Sequence, residues 1–142
     1  LIRCLNGNRP KWAAMESEGN REVDLGNFSI SLGVKDMEKS MDFYQKFGFE
    51  VIDGGHQNEE YADTETEKWR ILRNGKAVIG LFQGMFDVNI LTFNPTDLRP
   101  IQASLKEQSV EFDYEADMET SGPCSASLKD PDGNVILLDQ HY

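Results

Sequence analysis

The sequence predicts an α+β protein built from two βαβββ modules, and three observations predict it. Phe28, Ile30, Leu32 and Val34 alternate with Ser29, Ser31 and Gly33, the period of a strand with one apolar face. The order strand–helix–strand–strand–strand then runs twice along the chain, with a period of about sixty residues. Each module also closes on a hairpin with its own turn chemistry, Asn74-Gly75 in the first and Asp130-Pro131-Asp132-Gly133 in the second. One module alone leaves a sheet face uncovered; two can share a sheet with the helices outside.

The 142 residues suffice for one domain, or two small modules with a common core. Apolar residues make up 39% and charged residues 27%, ordinary for a globular chain. No apolar run approaches the roughly 20 residues of a membrane helix, and Leu1–Gly19 lacks the apolar segment of a secretory signal. A net charge of −11 argues against nucleic acid and anionic membrane as partners. It favours a cationic ligand, although an excess of carboxylate serves solubility equally well. Cys4 and Cys124 lack metal-type spacing, which leaves a reducing, cytoplasmic setting as the expectation.

Leu1–Gly26 mixes Gly, Asn, Pro, Arg and Glu without apolar periodicity and reads as an N-terminal extension, poorly ordered unless it docks. Met15 is a candidate native start, with the residues before it foreign to the protein. The domain proper is expected over 27–142, module one over about 27–84 and module two over about 87–142. After the Phe28–Val34 strand, Asp36 caps a helix running to about Phe47. Met37, Met41, Tyr44 and Phe47 form its inward stripe, and Gly48 stops it. Phe49–Ile52 returns as a strand. The polar run His56–Lys68 is either a solvated loop or a mobile flap from which His56, Glu59 or Tyr61 reaches inward. Trp69–Arg73 and Lys76–Gln83 are the strands joined at Asn74-Gly75.

The second half replays this order. Val88–Phe93 is a strand, and Thr96 or Asp97 starts a helix with Leu98, Ile101 and Leu105 inward. That start keeps Pro100 in the first turn, where a missing N–H does no harm. Val110–Tyr114 is read as a strand, Glu115–Gly122 as an acidic loop, and Ser125–Lys129 with Asn134–Gln140 as the final hairpin.

The repeat, the stretch FSISLGVKDMEKSMDFYQKFGFEVI and the closing LKDPDGNVILLDQ resemble the vicinal-oxygen-chelate superfamily. That group includes glyoxalase I, bleomycin-resistance proteins and extradiol dioxygenases. The resemblance covers about Phe28–Tyr142. It implies that the paired modules curl into a mixed-sheet cup with helices outside, and that two chains associate as a homodimer. It fixes no reaction, because this fold serves many.

Metal-dependent relatives place four His, Gln or Glu ligands on the first and last strands of the two modules. The matching positions here are Ser29, Gly80, Val88 and Leu137. Glycine, valine and leucine offer no donor and a lone serine hydroxyl is a poor one, so no metal or other cofactor is expected. A register slip by one residue adds a donor only at the third position and turns every strand face over. His56 and His141 lie outside these positions. Without a metal, glyoxalase or dioxygenase chemistry lacks its Lewis acid, and no nucleophile motif or phosphate loop replaces it.

Strand parity then lines the cup with Ser29, Ser31, Trp69, Ile71, Val78, Phe82, Val88, Ile90, Ser125, Ser127, Leu137 and Asp139. Aromatic walls with a few hydroxyls suit a flat or partly apolar small molecule. Asp139 is the one carboxylate expected to face inward, as a partner for a cation or a base of raised pKa. Trp69 could also stack on a cation. The plainer alternatives are an exposed strand-end Asp139, a Cys124 that is a small buried hydrophobe, and a cup filled by its own side chains. The leading expectation is a metal-free protein that binds a small organic molecule, cationic or partly apolar. The competitors are a lyase, isomerase or dioxygenase with non-standard ligands, and a non-catalytic dimerisation module.

Overall fold

A computed structural model describes residues 23–142. Its elements are β1 (Asn27–Val34), α1 (Met37–Gln45), β2 (Glu50–Gly54), β3 (Lys68–Asn74), β4 (Ala77–Gln83), β5 (Ile90–Asn94), α2 (Leu98–Glu107), β6 (Cys124–Lys129) and β7 (Val135–Gln140). The strands make one open, curled sheet in the order β2-β3-β4-β1-β5-β7-β6. β1 runs parallel to β4, and β5 parallel to β7. The modules join where β1 meets β5 antiparallel, Ser29 opposite Thr92 and Ser31 opposite Ile90. Both halves of the sheet therefore belong to one chain. The proposed start at Met15, Cys4 and most of the N-terminal extension lie outside the described residues. The end of that extension, Val23 and Leu25, packs on the core of module two.

Alternation decides which face is covered. Ile30, Leu32 and Val34 meet Met37, Leu72, Ile79 and Leu81 beneath α1. Beneath α2, Leu98, Ile101, Ala126, Leu128 and Leu138 form a second cluster on the same sheet face. The helix starts follow the sequence closely. Asp36 accepts from Lys39 N at 3.1 Å, and Pro100 falls in the first turn of α2. Phe47, read as part of the inward stripe, lies beyond the end of α1 and is 62% exposed, because the helix stops at Gln45. Gly48 takes φ +82° just after it, as a left-handed stop requires. In the closing hairpin the Asp130 carboxylate accepts from the backbone of Asp132 and Asn134 and from Asn134 Nδ2. These bonds, the Asn134 side chain first, hold Asp130 below the usual carboxylate range.

Module two departs from the repeat. The strand expected at Val110–Tyr114 does not form; Tyr114 makes a single antiparallel bridge to Ser127. The backbone that follows is bonded to α2 instead of to a sheet neighbour. Gln102 Nε2 donates to Ala116 O at 3.1 Å, and Ala116 N donates to Gln102 Oε1 at 2.7 Å. Arg99 donates to Asp117 O, Gly122 O and Thr120 Oγ1 at 2.8, 3.0 and 2.8 Å. With those groups satisfied, nothing draws the segment into the ladder. The strand expected from Val88 begins only at Ile90, and Val88 lies in an exposed bend.

Candidate functional site

The face away from the helices can be followed strand by strand through the register. Trp69 stands opposite Phe82, and Ile71 opposite Gly80. Gly80 faces Ser31, and Ser31 faces Ile90. Ser29 pairs with Thr92, Thr92 with Leu137, Leu137 with Ser127, and Asp139 with Ser125. Val78 shares this parity on β4. The twelve predicted lining residues thus share one face, with the exception of Val88, which lies outside the strands.

This face is not a second core. Ile71, Phe82, Ile90 and Leu137 are half-buried, while their helix-facing neighbours Leu72, Leu81 and Leu138 are almost wholly enclosed. Its chemistry changes from end to end. At the module-one end, Phe82 and Phe86 pack with ring centroids 5.1 Å apart. Trp69 lies beside them in the register, its indole N–H donating to Tyr61 O at 2.7 Å. Phe86 also brings its backbone across the sheet, since a Cβ on Gly33 would stand 2.7 Å from Phe86 O. At the centre, Ser31 Oγ and Thr92 Oγ1 are 2.8 Å apart and buried. At the module-two end, Asp139 Oδ2 lies 3.1 Å from His141 Nε2, and Asn94 Nδ2 donates to Asp139 O at 3.0 Å.

A cavity of about 360 Å³ adjoins that last end, with Tyr114, Cys124, Ser125 and Asp139 in its wall. A larger one, about 440 Å³, opens between α2 and the acidic loop, at Gln102, Lys106, Glu115 and Met118, off the concave face. Neither of these two is lined by Trp69. Position in the fold favours the concave face over the larger depression, whose wall is one helix and one loop. Cys124 is half-buried, its thiol 3.7 Å from Gln140 Oε1.

The metal positions that the resemblance implies lie on β1, β4, the start of module two and β7. Ser29 and Ile90 precede the two helix caps, Asp36 and Asp97, by the same number of residues. Ile90, rather than Val88, is therefore the module-two counterpart of Ser29. The set becomes Ser29, Gly80, Ile90 and Leu137, which still offers a single hydroxyl. A Cβ on Gly80 would meet Phe82 Cε2 at 2.6 Å and Ile71 Cδ1 at 3.4 Å, so neighbouring apolar groups occupy the space of a ligating side chain. Among the described residues no three His, Cys, Asp or Glu side chains gather as a metal cage. These residues do not fit a divalent cation.

The run His56–Lys68 is pinned rather than directed inward. Asp63 takes two bonds from Arg70, at 2.8 and 3.0 Å, and one from Trp69 N at 3.3 Å. Its own N–H donates to Gly55 O at 2.9 Å. The Arg70 hydrogen bond, opposed by partial burial, holds the Asp63 carboxyl below its ordinary pKa. His56, Glu59 and Tyr61 are exposed. Sequence reading passed over Thr92, Phe86 and Asp63. Thr92 was within reach, since the alternation that selects Ile90 also selects it. Nothing marks Asp63 among the carboxylates of its run, and Phe86 lies in a connector with no periodicity to follow.

The profile of the Glyoxalase/Bleomycin resistance protein/Dioxygenase superfamily matches residues 28–138. Comparison with curated proteins finds no match. Among solved structures, the chain is similar to a hypothetical protein from Bacillus halodurans C-125, with TM-score 0.60 and 14% identity over 80% of this chain and 92% of that one. A glyoxalase/bleomycin resistance protein/dioxygenase superfamily member from Vibrio splendidus 12B01 gives TM-score 0.56 and 16% identity, covering 80% and 97%. A Staphylococcus aureus protein gives TM-score 0.56 and 11% identity, covering 84% and 100%. At these identities the structural likeness speaks for the fold, while the sequence profile spans most of the chain. No helix among the described residues is long and apolar enough to cross a membrane. The chain belongs to the glyoxalase/bleomycin resistance protein/dioxygenase superfamily.

Proposed function

We propose that the protein binds a small, partly apolar organic molecule on the concave face of its sheet, without a divalent metal. The observation that carries this reading is the contrast between the two sheet faces. The helix side encloses Leu72, Leu81 and Leu138 almost wholly, whereas Ile71, Phe82, Ile90 and Leu137 are only half-buried around a buried hydroxyl pair. Apolar walls around a few fixed polar groups are what small-molecule sites present. The metal-free part rests on donor chemistry: one hydroxyl among four positions, with Gly80 overlain by Phe82. The contact of His141 with Asp139 supplies that carboxylate with a partner inside the chain, so we favour a partly apolar over a cationic ligand. We also infer a cytoplasmic homodimer of a domain spanning 27–142; the sheet edge at β2, without a strand partner on its outer side among the described residues, supports association.

Two measurements test the reading. A melting-temperature screen against aromatic small molecules should find compounds that stabilise the protein, by mass action. Ile90→Trp, which fills the floor of the face, should abolish that stabilisation. Elemental analysis after dialysis should find no stoichiometric zinc, nickel, manganese or iron. One tightly held metal atom per chain, or stabilisation untouched by Ile90→Trp, overturns the proposal.

A further inference from the structure

The hydroxyl pair at the floor of the concave face has hydrogen-bonding capacity that no described residue uses. Ser31 Oγ and Thr92 Oγ1 lie 2.8 Å apart, and the two residues are only 6% and 7% exposed. Two hydroxyls carry two donor protons, and their mutual bond consumes one. Among the described residues neither oxygen has another hydrogen-bond partner. One O–H donor is therefore left over, whichever way the mutual bond runs.

Its surroundings make that donor specific. In the register, Gly80 and Ile90 stand opposite Ser31, and Ser29 and Leu137 opposite Thr92. No charged side chain stands opposite either hydroxyl, and Asp139, further along the same face, is engaged by His141. A buried donor in apolar surroundings costs free energy until an acceptor meets it. A charged ligand group would bring a desolvation cost that nothing beside the pair offsets. The complementary group is a neutral oxygen on an apolar body.

This step rests on the proposed reading of the concave face as a ligand site. We infer that the Ser31–Thr92 pair is its polar anchor and that the ligand is a neutral, flat aromatic molecule bearing an oxygen substituent, of the phenol or aryl ketone class. The oxygen accepts the spare proton, while the ring lies against Ile90, Leu137 and Phe82.

The test compares two probes of nearly equal shape, 2-naphthol and 2-methylnaphthalene, by calorimetry on the full chain. The readout is the ratio of their dissociation constants in the wild type and in Ser31→Ala/Thr92→Val, which removes both hydroxyls and leaves no orphan. The double variant should shift the ratio roughly tenfold against naphthol, as loss of one buried hydrogen bond does, with methylnaphthalene affinity kept. Thr92→Ser, which keeps the hydroxyl, should hold the wild-type ratio and controls for disturbed folding. If both probes bind and the double variant leaves the ratio unchanged, the anchor is overturned while the ligand site stands. If neither probe binds the wild type, both readings fall.

Discussion

Ser31 and Thr92 depend on each other, as their mutual hydrogen bond of 2.8 Å is buried. Truncating one of them leaves a buried hydroxyl without its partner, whereas removing both leaves an apolar floor. Thr92→Val should therefore cost about 1–2 kcal/mol, and adding Ser31→Ala should recover most of it; urea denaturation of the two variants measures the difference. Asp63 is governed by its charge. Its folded pKa lies below its unfolded value, so its contribution is complete above the usual carboxylate pKa of about 4 and is lost as pH falls through the lower folded value. Asp63→Asn should be less stable at neutral pH by about 1–3 kcal/mol, the worth of charged hydrogen bonds. The deficit should shrink below about pH 4, where the native carboxylate also takes up its proton. A deficit constant from pH 7 to pH 2 would show that the Arg70 contact contributes little.

At the scale of elements, the two modules share a device that links each last strand to its helix. Met37 N donates to Gln83 Oε1 at 2.8 Å, and Leu98 N donates to Gln140 Oε1 at 2.8 Å. Each glutamine ends the final strand of its module and satisfies the first free N–H of that module's helix. In α2 this bond stands in for a side-chain cap, because Asp97 makes none. Gln140 does more than Gln83, since its Nε2 also donates to Gly122 O and Tyr142 O. Gln83→Ala should cost about 1 kcal/mol, the usual worth of a cap. Gln140→Ala should cost about twice that, with faster amide exchange near Leu98; equal losses for the two would contradict the added role of Gln140.

The whole molecule is organised about the β1–β5 seam. The two helices cover one face of a single sheet, each with its own hydrophobic cluster. The seam is tied by backbone pairing, by the Ser31–Thr92 bond and by the tilted Phe28–Phe93 pair at 5.1 Å. The opposite face runs across both modules, so the proposed ligand site there draws on residues far apart in sequence. The charge of −11 acts on this body as a whole. Its self-repulsion opposes compaction and is screened by salt. Raising ionic strength from about 10 to about 150 mM should raise the melting temperature, since the Debye length falls from about 30 to about 8 Å. A melting temperature that falls with salt would mean that ion pairs such as Lys129–Asp113 outweigh the repulsion.

By itself the sequence determined the order of the two helices and seven strands, the two helix starts, the tight turns and the face to which the residues of those strands point. These depend on neighbours within a few positions: period-two alternation, Asp36 as a cap, Pro100 in a first turn, the Asp130–Asn134 turn. Which residues stand at the ligand positions that the resemblance implies is likewise a reading of the sequence, since a missing donor is visible without a structure. Only the tertiary structure decided what depends on distant partners. It replaced the strand at Val110–Tyr114 with a loop held by Arg99 and Gln102, and it moved the module-two position from Val88 to Ile90. It joined Gln83 and Gln140 to helix starts 46 and 42 residues away, and it singled out Asp63 through Arg70. Local pattern sets which groups a residue offers; which of them find a partner is settled when the modules close on one another.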